Sequence, residues 1–321
     1  MASNSKAYGA LAFICIVWGT TYLAIRVGVM HYPAFLFAGV RQTIAGVILS
    51  AAALSVNKNF DFSGVNIRRQ MLIGFLMLSL GNGFVTWGEK YIPSGIAALI
   101  CSMMPIFAVT FNLFSSKVEK LNLLTGIGML LGTLGVGLIF RNDISNLSNP
   151  SYLAGIGAVL LATGSWAWGS LINKKNLNPV NAFLNSGMQL FFGGIFMLII
   201  SPFADNLHGI RWYNRDGLLA LIYLIVFGSA LSYAAYMYAL SKLPVGVATI
   251  YSYINPMVAV LLGFVVFREP LNIYTVFSFV SIILAVLLVN IGYRKQHRSL
   301  TIKNTQLQAA DTFPEEFPLE S

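Results

Sequence analysis

Residues 91–125 read YIPSGIAALICSMMPIFAVTFNLFSSKVEKLNLLT, and residues 242–275 read KLPVGVATIYSYINPMVAVLLGFVVFREPLNIYT. With Pro93 set on Pro244, the two stretches keep step. Pro93-x-Gly95, Ala97 and Pro105 return as Pro244-x-Gly246, Ala248 and Pro256, with the same spacing between the prolines. Glu119-x-Leu121-Asn122-x-x-Thr125 returns as Glu269-x-Leu271-Asn272-x-x-Thr275, and further out Trp18-Gly19 returns as Trp168-Gly169. Three matches in one order, nearly in register, mark an internal duplication.

The surrounding chain is apolar almost throughout. Of 321 residues, 57% are hydrophobic and 10% charged, against roughly a quarter charged in a soluble domain, which excludes an ordinary soluble fold. The apolar residues form ten segments of the length that crosses a ~30 Å hydrocarbon core as a helix: 7–27, 33–55, 70–88, 93–115, 121–140, 151–172, 180–201, 217–239, 244–266 and 272–293. The first lacks an obvious small-x-small cleavage site and reads as a retained span, not a signal peptide. The short connections leave no room for a separate soluble catalytic domain. Residues 294–321 turn polar and read as a disordered cytoplasmic tail.

The net charge of +9 is unevenly placed. With the N-terminus inside, thirteen Lys and Arg fall in cytoplasmic segments and six in outer ones, while Arg41 lies within the second span. This bias predicts a multi-pass plasma (inner) membrane protein with both termini cytoplasmic. It accounts for the charge without a nucleic-acid partner, for which no basic and aromatic soluble surface exists. Cys15 and Cys101 lie inside spans and give neither a disulfide framework nor metal-ligand spacing.

Each half, 1–145 and 146–293, holds five spans. Five is odd, so the second half enters the membrane from the opposite side to the first. Inverted repeats are the architecture of many secondary transporters, which alternate access around a site near the midplane. Pro105 and Pro256 each lie ~18 Å beyond the proline that opens their span, close to that midplane. Each removes a helical hydrogen bond, to Cys101 and Ser252 respectively, and bends the helix. The freed carbonyl is tolerable against other helices or a wet cavity but not against lipid. The alternative for either proline alone is a static packing kink. The expected fold is an all-α integral membrane protein of ten transmembrane helices in two inverted five-helix repeats around a central cavity, with Pro105 and Pro256 as gating kinks.

The Trp-Gly pairs, the Tyr91-Ile92-Pro93-Ser94-Gly95 start of the fourth span, Pro105 within it, the Glu119-x-Leu121 junction and their repetition resemble the drug/metabolite transporter superfamily, specifically paired EamA domains. The resemblance covers roughly residues 7–293. It implies a ten-helix basket whose cavity is lined mainly by helices 1, 3, 4, 6, 8 and 9, with 5 and 10 peripheral. It also implies export or exchange of amino acids, related metabolites or amphipathic compounds without ATP.

Arg41 stands eight residues after Pro33, about 12 Å into the membrane. A central Arg costs at least ~2.5–3.5 kcal/mol on insertion scales, so it should face the bundle and have a partner. There it would take a substrate carboxylate bidentately; a structural pair or snorkelling to the interface is the other reading. Glu89, ~9 Å above it by the same rise, is the nearest candidate partner and a candidate proton carrier, or else a mouth carboxylate beside Lys90. The second-half counterparts of Arg41 and Glu89 fall near Phe191, with Gln189 close, and at Leu240. Charge recognition is therefore expected in the first half alone. Trp18, Thr21, Trp166, Trp168, Tyr233, Tyr236, Tyr251, Tyr253 and Asn255 would form the aromatic and small polar wall that suits an amphipathic solute. Trp87 reads more simply as an interfacial belt residue. Glu119 and Glu269 read as caps at helix N-termini.

An intramembrane enzyme would place acid pairs, Ser and His, or HExxH within its spans. None is present, and His31, His208 and His297 all fall in loops or the tail. There is no phosphate-binding G-x-x-x-x-G-K-[ST] loop and no cofactor motif. The sequence thus reads as a secondary active transporter of small metabolites such as amino acids, driven by proton coupling or substrate exchange. A multidrug or amphipathic-cation exporter is the alternative, and a channel or receptor the alternative of another class. The expected partners are a small-molecule substrate and the lipid bilayer. Gly128-x-x-x-Gly132 permits close helix contact within a monomer or in a weak homodimer.

Overall fold

The computed structural model describes residues 2–56, 62–115, 122–140, 148–175, 182–208, 210, 213–243, 248, 251–268, 273–274, 276–281, 283–285, 287–288, 291–292 and 295. The side chains of Pro105 and Tyr253, residues Glu119, Pro244, Gly246 and Glu269, and the tail apart from Lys295 lie outside them. Every regular element among the described residues is helical. Six helices are long and apolar enough to cross a bilayer: Ser5–His31, Ala34–Val56, Gly64–Gly88, Pro150–Lys174, Ala182–Ala204 and Arg215–Lys242. They fall on the expected first, second, third, sixth, seventh and eighth spans. Shorter apolar helical stretches, Ser94–Ala108, Leu123–Gly132, Ile254–Val266 and Val276–Ala285, fall within the fourth, fifth, ninth and tenth.

Local chemistry sets where these helices begin and break. The third starts at Gly64, earlier than its apolar run, because Ser63 caps it and its Oγ accepts from the Asn66 N–H at 3.3 Å. Asn214 does the same for the eighth, accepting from the Gly217 N–H at 2.8 Å. The fourth span is interrupted: helix Ser94–Cys101 ends, Ser102 and Met103 turn, and helix Met104–Ser115 resumes. Pro105 has no N–H to give Cys101, and the turn is closed by the Met103 N–H to the Ile100 carbonyl at 3.0 Å. In the ninth span, helix Tyr251–Phe267 runs on through Pro256. The two prolines therefore act differently despite their matched spacing.

The third and eighth spans each widen into a π-helical segment, Phe75–Gly83 and Leu224–Leu231. These segments overlap when Pro93 is set on Pro244. π-helical turns shift the hydrogen-bond register and often mark functional positions.

Packing between the halves is reciprocal. The first span packs on the ninth as the sixth packs on the fourth, and the first on the eighth as the sixth on the third. The second and seventh spans lie against one another through glycines. A Cβ on Gly46 would lie 2.8 Å from the Gly187 oxygen, and one on Gly194 would lie 2.9 Å from the Gly39 oxygen. Only glycine permits such backbone approach. The reciprocity sets Ala34-Phe35-Leu36 on Ala182-Phe183-Leu184, and hence Arg41 on Gln189 rather than near Phe191. The fifth and tenth spans pair at the periphery, where Ser281 Oγ donates to the Leu131 carbonyl at 2.9 Å and Asn122 Nδ2 to that of Gly292 at 2.7 Å. Gly132 is already in use there, its missing Cβ facing Ile106 and Ala285.

Candidate functional site

Arg41 lies in the middle of the Ala34–Val56 helix with only 2% of its surface exposed. Its guanidinium is held by both π segments. Nε donates to Ser229 Oγ at 2.8 Å and Nη2 to the Gly228 carbonyl at 3.3 Å, while Nη1 reaches Asn82 Oδ1 at 3.4 Å. The π segment supplies the Gly228 acceptor. In an α-helix the Ser232 N–H would bond the Gly228 carbonyl, but here it bonds those of Phe227 and Ser229. The Gly228 oxygen accepts side chains instead, from Arg41 and, at 3.1 Å, from Trp18 Nε1. Gly228 must also be small, since a Cβ there would lie 3.3 Å from Arg41 Nη2 and 3.0 Å from Thr21 Cγ2.

Around this arginine is a cavity with an empty volume of about 760 Å³, counting the space at its open mouth. It is bounded by the first span (Trp18, Thr21, Tyr22), the second (Arg41, Gln42), the third (Asn82, Val85), the fourth (Cys101, Met104), the sixth (Thr163, Trp166), the seventh (Leu190), the eighth (Ser229, Tyr233) and the ninth (Tyr251, Ser252, Asn255). No residue of the fifth or tenth span lines it among the described residues. The second and seventh spans thus join the six helices that the family resemblance implied. Arg41 is the one charged side chain among the described lining residues. Aromatic edges form part of the wall beside it: Trp18 meets Trp166 at 5.7 Å and Tyr251 at 4.7 Å between ring centres, both edge to face.

Beyond Tyr233 the cavity gives way to a chain of buried amides. Tyr233 donates its hydroxyl to Gln189 Oε1 at 2.5 Å, and Gln189 Nε2 donates to Gln70 Oε1 at 2.6 Å. Gln70 Nε2 continues to Asn66 Oδ1 at 2.8 Å, and Asn66 Nδ2 to Asn185 Oδ1 at 3.2 Å. The donors all point one way, and hydrogen bonds so ordered polarise one another. The chain ties the third span to the seventh and eighth, and so links the two halves.

Of the residues expected to form the site, Arg41, Trp18, Thr21, Tyr233 and Asn255 line the cavity, as do Trp166 and Tyr251. The Asn255 side-chain amide also lies 2.9 Å from two carbonyls, that of Cys15 on the first span and that of Tyr251 one turn back in its own helix, with its nitrogen as the donor that would satisfy both. Trp168 lies on the other side of its helix, 41% exposed and edge-on to Phe111 at 5.2 Å. Two residues are about 200° of helical rotation, so Trp166 and Trp168 cannot both face inward. Tyr236 backs the aromatic wall without lining the cavity, with its hydroxyl on Ser170 Oγ at 3.1 Å. Glu89 is fully buried near the end of the third span and is not a lining residue; its backbone carbonyl accepts from Arg26. Pro256 is buried within its helix. Trp87 packs on Tyr91 at 4.8 Å. Sequence reading missed Tyr22, Gln42, Asn82 and Ser229. The available signals were polar residues in apolar runs, Gly81-Asn82-Gly83 and Gly228-Ser229.

The sequence signature of the EamA-like transporter family matches the chain twice, at residues 5–141 and 153–291. The chain is 36% identical over 261 residues to the uncharacterized inner membrane transporter YedA of Escherichia coli (strain K12), covering 80% of this chain and 81% of that one. It is 27% identical to the protein PecM of Dickeya dadantii, over 79% of this chain and 82% of that protein. It is 23% identical to the uncharacterized transporter YoaV of Bacillus subtilis, over 80% and 87%. A protein of known crystal structure superposes with a TM-score of 0.64 at 17% identity, covering 91% of this chain and 98% of its own, a likeness of fold.

Proposed function

The chain belongs to the EamA-like transporter family of the drug/metabolite transporter superfamily, with the domain present twice, and we propose that this transporter is a secondary carrier of small carboxylate-bearing metabolites, amino acids or organic acids. It exports or exchanges them across the plasma (inner) membrane. The observation that carries this reading is the Arg41 guanidinium at a shared cavity, held by acceptors from both halves and accompanied by no acidic lining residue among those described. Its hydrogen-bond acceptors are all neutral, so none of them cancels the charge offered to an incoming anion. The aromatic edges of the cavity wall take the apolar part of the solute.

In this reading ten spans form two inverted repeats, 1–145 and 146–293, with both termini cytoplasmic and a cytoplasmic tail at 294–321. The repeats rock about the central site, helped by the broken fourth span and by Pro256 in the ninth. The reciprocal packing of the halves supports this arrangement. Use of Gly132 by Ile106 and Ala285 supports a monomer as the working unit. A cation carrier would need an acid at the cavity wall, and Glu89 does not line it. Glu89 remains the residue through which a proton would couple; exchange of one solute for another needs no such group.

Counterflow in proteoliposomes tests the proposal: vesicles are loaded with amino acids, organic acids or amphipathic cations and labelled tracer exchange is followed. Saturable exchange of carboxylates is expected. Exchange of cations alone, or a non-saturable leak, would overturn it.

A further inference from the structure

Gln42, the neighbour of Arg41, is 1% exposed and lines the cavity. Its Nε2 donates to Asn82 Oδ1 at 3.1 Å, the same oxygen that Arg41 Nη1 reaches at 3.4 Å. The two head groups are thus neighbours across one acceptor. The other half of the Gln42 amide, Oε1, is buried with no hydrogen-bond partner among the described residues. A buried carbonyl oxygen left without a donor is costly, and such groups in native structures call for an explanation. A transporter that fills the position from its cargo gives one.

We infer that Gln42 Oε1 is the acceptor for the ammonium group of the transported solute, so that the cavity selects α-amino acids over plain carboxylates. This rests on the carboxylate reading of Arg41. An α-amino acid carries its carboxylate and ammonium on one carbon, and Arg41 and Gln42 offer a fixed donor and a neutral acceptor side by side to match them. A carboxylate in place of Gln42 would pair with Arg41 and cancel the anion site. An amide accepts from the ammonium and leaves the guanidinium charge intact. Asn82 acts as a positioning residue: its single oxygen is shared by both groups and holds Gln42 Nε2.

The test compares L-leucine and L-phenylalanine with 4-methylpentanoate and 3-phenylpropanoate, which lack only the amine. Purified wild-type protein in proteoliposomes is assayed by competition against labelled amino acid for uptake. Gln42→Leu and Gln42→Met are assayed by tracer exchange of each compound at pH 7. In the wild type the amino acids should compete about tenfold or more better than their des-amino analogues, the size expected of a hydrogen bond to a charged group. In either variant that preference should fall to less than about twofold, through weaker amino acid binding and with the des-amino acids unchanged. Equal competition by both series in the wild type, or a preference that survives in the variants, overturns the ammonium site and leaves the carboxylate proposal standing. If neither series exchanges in the wild type, the carboxylate proposal itself fails. The isosteric Met variant carries the comparison if the branched Leu variant does not fold.

Discussion

Arg41 and Gln189 hold equivalent places in the two repeats, once Ala34-Phe35-Leu36 is laid on Ala182-Phe183-Leu184, yet they do opposite things. Arg41 reaches across to both π segments and borders open space. Gln189 turns to Tyr233, Gln70 and Asn173 and is sealed in a chain of amides. The backbone frame around them is shared, down to the glycine contacts of Gly46 with Gly187 and Gly194 with Gly39. Duplication therefore conserved packing while the chemistry at the matched position diverged. A charged side chain is tolerable in a bilayer core where a polar solute can answer it. Neutral amides satisfy one another and can close a passage without a solute present.

The largest expected effect comes from removing that divergence. Arg41→Gln makes the two positions alike and takes away the one charged side chain among the described lining residues. Carboxylate counterflow should fall about 100-fold or more, because a charge-assisted bidentate contact is lost. Thermal stability should change little, since a buried charge is removed together with its hydrogen bonds to Ser229 and Gly228. Wild-type exchange in this variant would mean that Arg41 is structural, and the comparison with Gln189 would lose its functional half.

A second, smaller effect tests how Arg41 is held. Gly228→Ala places a methyl group 3.0 Å from Leu224 Cδ2 and Thr21 Cγ2 and 3.3 Å from Arg41 Nη2. Contacts this tight displace the guanidinium. We expect about a tenfold rise in the KM for exchange, with a loss of about 1 kcal/mol or more in stability from overpacking. If KM stays at the wild-type value while stability drops, the π segment shapes the fold without tuning the site.

Gln189→Leu probes the neutral partner. It breaks the link from Tyr233 to Gln70 and leaves both buried polar groups short of a partner. Water entering from that side would relieve them, so the closed arrangement there should weaken. Cys101 lines the cavity and serves as the reporter, in a Cys15→Ser background. Labelling of Cys101 by a membrane-impermeant maleimide in inside-out vesicles should rise severalfold, with labelling from the outer face unchanged or reduced. Unchanged inner labelling would show that the amide chain does not close that side.

Much of this frame was legible in the sequence, because hydrophobic length places spans wherever lipid must be crossed. Arg41 was legible for the same reason: an arginine inside an apolar run must find a partner. Its partners were not legible. Ser229 and the Gly228 carbonyl are available only because the eighth helix widens into a π turn, and no hydrophobic periodicity reports a local change in hydrogen-bond register. Glu89 lies within electrostatic reach of Arg41, as helix rise suggested, but it does not line the cavity, because rise says nothing of the rotation that decides which side chain faces it. The matched prolines announced two kinks; among the described residues the helix breaks in the fourth span, at Ser102 and Met103, where Ser102 Oγ turns back on the Leu99 carbonyl at 2.6 Å, and it continues through Pro256 in the ninth. Repetition in sequence constrains where the chain may bend, and side-chain contacts then decide whether it does.

The smallest expected effect settles a question of rotation between two tryptophans. The repeat itself pairs Trp18 with Trp168, which would put both in the cavity wall; the structure instead sets Trp166 against Trp18 and turns Trp168 outward beside Phe111. The reason is local: Gly169 packs on Met77 and Gly19 on Val258, so each Trp-Gly pair uses its glycine for helix contact while the indole direction is set separately. Trp168→Ala should therefore leave exchange within about twofold of wild type, since it trims an outward-facing ring, while Trp166→Ala should lower it about tenfold by removing a lining aromatic. Equal losses in the two variants would mean that the sixth helix rotates during transport and presents each face in turn. The sixth span would then be a moving part rather than a fixed wall, and the contrast between Arg41 and Gln189 would belong to one conformation only.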